Sequence, residues 1–140
     1  MPTPITYDSF FTDLGAGAIN PTSDTFYMML TTSSYTPSKG THAKRSAITN
    51  EVVGTGYTAG GQAVVCTPAT NTTTHVWTLT PATTVWSGAT LTARYGVIYK
   101  HRGGLASADE LVCLVDFGAD ITSTAAAFTV TFSAPLTITN

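Results

Sequence analysis

The chain has 140 residues, a formal net charge of −2 and only 10% charged residues, against the quarter or so usual for soluble domains. That length makes one domain with room for a real core, with no internal repeat and no boundary. Its six Lys and Arg form no basic run beyond Lys44-Arg45 and Lys100-His101-Arg102, which excludes neutralising a string of phosphates and so argues against a nucleic-acid partner.

No apolar stretch approaches a bilayer span, and Met1-Pro2-Thr3-Pro4 lacks the charged and apolar regions of a signal peptide, so no membrane partner and synthesis in a cytoplasm are expected. Threonine fills the place of the missing charges, with 29 of 140 residues. Thr is β-branched and keeps a solvent-facing strand position wet, which points to sheet. A surface poor in Lys and Glu also suits coverage by neighbours, because each buried charge would have to be desolvated.

In chain order, Tyr7, Phe10, Phe11 and Leu14 fall at i, i+3, i+4 and i+7 and predict one face of a short helix ending at Gly15. Ala16 to Ser23 is a turn-rich connector, so residues 1–23 form an arm ahead of a sandwich over 24–140. Asp24 to Thr31 alternates Phe26, Met28 and Leu30 against Tyr27 and Met29. A long polar loop runs from Thr32 to Gly61, with an irregular helical turn expected within Thr41 to Val52.

Shorter strands follow at Ala63–Thr67, Thr74–Thr80 and Thr83–Trp86. Leu91, Ala93, Tyr95, Val97 and Tyr99 then share one face, with Thr92, Arg94 and Lys100 opposite. Glu110 to Phe117 is apolar on both faces, as in a central strand or one whose second face meets a partner. Ala126 to Phe132 alternates again, and Leu136 and Ile138 extend the pattern. Eight short antiparallel strands with Gly, Pro and Asn punctuation predict an all-β, jelly-roll-like two-sheet sandwich with a short N-terminal helix. Its core is expected to include Phe26, Met28, Leu30, Tyr95, Val97, Cys113, Val115, Phe128 and Val130.

Chemistry finds no foothold. Gly54-Thr55-Gly56-Tyr57-Thr58-Ala59-Gly60-Gly61 lacks the Gly-Lys-Ser/Thr of a phosphate loop and the spacing of a dinucleotide fingerprint, and is expected to be turns with positive φ. His42, His75 and His101 lie in different segments without ligand spacing, so neither a metal nor a cofactor is expected. Asp109 and Glu110 are neighbours that a strand would point to opposite faces, away from shared acid–base work. Cys66 and Cys113 are expected as buried small hydrophobes. Trp77, Trp86, Tyr95 and Tyr99 are either a sugar-stacking platform or core, with core preferred because period 2 sets both tyrosines on the Leu91 face. No catalytic residue is assigned. The candidate docking residues are Tyr7, Phe10, Phe11 and Leu14 of the helical face, with Lys44 and Arg45.

Two stretches carry a resemblance. One runs from Asp24-Thr25-Phe26 through Met29-Leu30-Thr31-Thr32-Ser33-Ser34-Tyr35-Thr36-Pro37, Thr41-His42, Arg45-Ser46 and Thr49-Asn50-Glu51-Val52 to Gly54–Gly61. The other holds Val85-Trp86, Ala89-Thr90-Leu91-Thr92-Ala93-Arg94, Val97-Ile98-Tyr99 and Val115-Asp116-Phe117-Gly118. Together with the amphipathic opening around Tyr7 to Leu14, they cover about half the chain in order and resemble a family of small structural proteins of tailed bacteriophages, most of all its capsid-cementing members. The resemblance implies a virion protein made in the host cytoplasm, the major capsid protein as partner, and a homodimer on the shell. A tail or host-recognition module is the competing expectation, and would place Trp and Tyr residues near loop tips.

Overall fold

The structure is a computed structural model and describes residues 3–139; Met1 and Pro2 of the expected arm and Asn140 lie outside the described residues. Among those residues it is an all-β sandwich of eight strands: β1 (Ile5–Thr6), β2 (Phe26–Thr31), β3 (Gln62–Val64), β4 (Cys66–Asn71), β5 (Val76–Pro81), β6 (Thr84–Lys100), β7 (Leu111–Val130) and β8 (Leu136–Thr139). One antiparallel sheet has the order β1-β7-β6-β2-β3 and the other β4-β5-β8. A helix, α1 (Asp8–Ala16), lies between β1 and β2.

The expected arm is built into the sandwich. Ile5 and Thr6 pair with Leu114 and Cys113, extending the large sheet, and Phe10 and Ile19 enter the core. The helix runs past the expected stop at Gly15. It closes at Gly17, where φ of +77° lets the N–H groups of Gly17 and Ala18 satisfy the carbonyls of Leu14 and Asp13.

Two pairs of expected strands fuse. Thr83–Trp86 and Leu91–Tyr99 are one strand, β6, and Glu110–Phe117 and Ala126–Phe132 belong largely to β7. Their hairpin is kinked by bulges. Between the pairs Tyr95↔Asp116 and Ala93↔Ile121, one residue of β6 faces four of β7. Gly118 turns there at φ +82°, its N–H held by Asp116 Oδ1 at 2.7 Å. The bulge corrects the expectation that Leu91 to Tyr99 share a face. Leu91 and Ala93 point between the sheets, whereas Tyr95, Val97 and Tyr99 point to the outer side of the large sheet.

The large sheet is therefore buried on both faces. Its inner face packs Phe26, Met28, Leu30, Ile98, Cys113 and Val115 against Cys66, Leu79 and Leu136 of the small sheet, with Trp86, Phe128 and Val130 further along the hairpin. Its outer face holds Tyr7, Met29, Val97, Tyr99, Leu111 and Leu114 under Tyr35 and Ile48 of the Thr32–Gly61 segment. Of the expected core, Val97 sits in this outer cluster, and Tyr95 only borders it, partly buried. The Thr32–Gly61 segment is thus a packed layer, with a 3₁₀ turn at Arg45–Ala47 where the helical turn was expected.

Candidate functional site

The helix divides its apolar residues. Tyr7, as N-cap, and Phe10 are buried; Leu14 is half-buried against the core; Phe11 is 48% exposed. The docking face of this segment on its own sandwich is Tyr7, Phe10 and Leu14, and Phe11 looks outward. Tyr7 and Tyr35 share a hydrogen bond between hydroxyls at 3.0 Å, and Tyr35 Oη lies 2.8 Å from His42 Nδ1. Burial, then the Tyr35 contact, pushes the Tyr7 hydroxyl far above its ordinary value, so it is a neutral hydrogen-bonding group.

Lys44 and Arg45 are not free surface cations. Arg45 Nε donates to Asp109 Oδ2 at 2.7 Å and its guanidinium lies 5.0 Å from the Tyr99 ring centroid. Lys44 Nζ is 3.7 Å from Glu110 Oε2. Arg102 forks onto Glu110 at 2.6 and 2.9 Å and donates its backbone N–H to Asp109 Oδ1. Asp109 and Glu110 are 0% and 1% exposed, each on its own arginine, which turns the carboxylate pair into a clasp across the 41–48 and 101–110 segments. Burial alone would raise the Glu110 carboxyl; Arg102 and Lys44 outweigh it and hold it below its ordinary value. Lys100 pairs with Asp24 at 3.0 Å and Arg94 with Asp116 at 2.7 Å, so five of the six Lys and Arg side chains sit in internal ion pairs.

The glycine-rich loop is a brace. Glu51 Oε1 accepts from Tyr57 Oη and the Gly60 N–H, and Tyr57 Oη in turn accepts from the Leu30 N–H. Gly56, Gly60 and Gly61 have positive φ, as the sequence predicts. At Gly61 a Cβ would stand 1.8 Å from the Met28 carbonyl oxygen, so only glycine admits this approach to β2.

The three histidines stay apart: His42 on Tyr35, His75 in the β4–β5 turn at φ +58°, His101 stacked on Tyr27 at 3.9 Å. Among the described residues no cluster of three His, Cys, Asp or Glu is arranged to hold a metal. Cys66 and Cys113 are free and buried; burial pushes the first thiol up to about 12 and the second well above its ordinary value, leaving both protonated at neutral pH. Trp86 and Tyr99 are core, whereas Trp77 is only partly buried and lines a groove at the tip of the β4–β5 hairpin.

Two surface features remain. Beyond Cys113–Leu114, where β1 pairs, the outer side of β7 has no strand beside it among the described residues. From Gly118 to Ala127 only Ser123 is buried, and Asp120 is the one charge. Isolated aliphatics also face solvent, Val53 at 96% and Leu105 at 76% most of all. The open edge is legible in sequence only as the Ala/Thr/Ser run without Lys or Pro, the residues that usually guard an edge. The clasp left no local signal, because its partners come from distant segments. The chain matches no family model, no curated protein and no solved structure.

Proposed function

We propose that this chain is a structural, non-catalytic protein of a tailed-phage particle. Within that class, its role is to cement the capsid by bridging major capsid subunits as a dimer on the shell. The observation that carries the reading is the exposed and nearly uncharged stretch Gly118–Ala127, which pairs with β6 on one side and has no strand on the other among the described residues. A partner that covers it desolvates one carboxylate and gains the open backbone groups of a strand edge. The bulge at Gly118 bends that edge, so a fitted partner is favoured over any flat strand. Cations locked in internal pairs also leave little long-range charge to oppose close packing. Many copies, each with modest contacts, add up by avidity on a shell strained by packaged DNA. The resemblance of the 24–61 and 85–118 stretches to small phage structural proteins supports the same reading.

A purified particle tests this directly. Quantified gel bands should give hundreds of copies per virion, and Ile121→Lys with Thr124→Lys should abolish binding to expanded heads while melting stays unchanged. A dozen copies or fewer per particle would move the protein to the tail. That second reading, a host-recognition module, is favoured by one observation: Trp77 lies beside a hairpin tip.

A further inference from the structure

The β4–β5 hairpin leaves the core as it approaches its turn. Leu79 is fully buried, Trp77 two residues nearer the tip is partly buried, and its cross-strand neighbours Thr70 and Ile138 are exposed. The row Thr70–Trp77–Ile138 therefore continues the inner face of the small sheet past the point where the large sheet covers it. A groove of about 470 Å³ opens there, lined by Thr70, Asn71, Thr72, His75, Val76, Trp77 and Ile138. That volume lies within the range of about 300–1,000 Å³ typical of small-molecule sites.

The lining chemistry is specific. No Asp, Glu, Lys or Arg contributes, so the groove offers no charged side chain of these types to pair with a phosphate, a carboxylate or an amine. Its floor is an indole with two aliphatic side chains, and its rim carries two hydroxyls, an amide and an imidazole. Asn71 is fixed: its Oδ1 accepts from the N–H groups of Thr73 and Thr74 at 2.9 and 3.0 Å, which holds the side chain in the turn and commits its oxygen, not its Nδ2 donors. A wholly apolar ligand would strand this polar rim, and a wholly polar one would gain nothing from the indole. A neutral pyranose satisfies both, with C–H groups on one face and hydroxyls around its edge.

We propose that the groove at the tip of the β4–β5 hairpin binds a neutral saccharide, stacked on Trp77 and hydrogen-bonded at its rim by Asn71, Thr72 and His75. The site is separate from the β7 edge and stands on its own whether the protein lies on the shell or the tail. Displayed in many copies, such a site gains from avidity what a single shallow groove lacks.

The intact ¹⁵N-labelled protein is titrated with neutral oligosaccharides (malto-, cello-, manno-, galacto- and chito-oligomers) and with polygalacturonate as the acidic comparison. With at least one neutral series, the Trp77 indole N–H and the Thr72 and His75 amides should shift saturably. The Trp86 indole, buried in the same molecule, should not move. Trp77→Ala should weaken binding at least tenfold. Because Trp77 also touches the core, Thr72→Ala and His75→Asn serve as a second pair; both positions are exposed, and Asn tolerates the left-handed turn. Together they should weaken binding about three- to tenfold with melting unchanged. No shift at Trp77 with any neutral series, tighter binding of polygalacturonate, affinity unaltered in the variants, or a concentration-dependent dimer sealed through this groove would each overturn the proposal.

Discussion

Phe10 and Phe11 are neighbours on one helix, yet the structure gives them opposite fates, 1% and 48% exposed. Replacing each by Ala separates burial from everything else. The gain in helix propensity on going from Phe to Ala is about the same at both sites, roughly 0.5 kcal/mol, and cancels in the comparison. Phe10→Ala empties a space between α1 and the inner cluster and should cost about 3–5 kcal/mol. Phe11→Ala removes a half-exposed ring and should cost less than about 1 kcal/mol. At about 3–5 °C per kcal/mol for a domain of this size, the first variant should melt about 10–20 °C lower and the second within a few degrees of the parent. Urea unfolding at fixed pH measures both, with an unchanged m-value confirming that the same surface is exposed. Equal losses at the two sites, or the larger loss at Phe11, would refute the assignment of the helix to its own sandwich.

Gly61→Ala should cost at least about 1–2 kcal/mol from the left-handed backbone alone, and more from the approach to the Met28 carbonyl; Gly15→Ala, with open space around it, should be neutral or stabilising in a melting assay. Arg45→Met should destabilise by about 3 kcal/mol by leaving the Asp109 carboxylate buried without its arginine, and adding Asp109→Asn should recover part of that loss in a double-mutant cycle. The Glu110 carboxyl has a folded value depressed below 4.5, so its share of stability is full above that pH and lost as pH falls through the lower folded value. Glu110→Gln should flatten that acid limb in urea titrations from pH 6 to pH 3, and an unchanged slope would contradict the clasp.

Where a strand has a simple alternation and a single register, the sequence was enough: Phe26, Met28 and Leu30 point between the sheets, as their spacing requires. The turns of the glycine-rich loop were legible for the same reason, since a residue type there maps to one backbone need. Alternation fails at a bulge. Leu91 to Tyr99 has unbroken period 2, but the four residues accommodated opposite Arg94 flip the second half, and no residue type in β6 itself marks the flip. Phe11 fits an i, i+4 face with Tyr7, yet Tyr7 caps the helix in extended backbone, so the pair does not share a helical stripe. The outer cluster was hidden because its cover, Tyr35 and Ile48, lies in a segment whose polar composition reads as loop. Trp77 was weighed with the other aromatics as platform or core, and the β7 edge left only a compositional trace, because exposure at both depends on where one sheet ends over the other, a property of the assembled sandwich.

The order β1-β7-β6-β2-β3 also sets a schedule for synthesis. Ile5 and Thr6 leave the ribosome well ahead of their partners, Leu114 and Cys113. At about 5–20 residues per second, the intervening roughly 110 residues take on the order of 5–20 s to appear. Through that interval Tyr7 has no β7 backbone to bond, and β2 waits for β6 through most of it. The β6-β2-β3 part of the large sheet can therefore pair first, while its β1-β7 edge closes late. A nascent chain of this design is most exposed to aggregation just before β7 emerges, and a chaperone or slower translation over residues 100–120 would act on that step more than on any other.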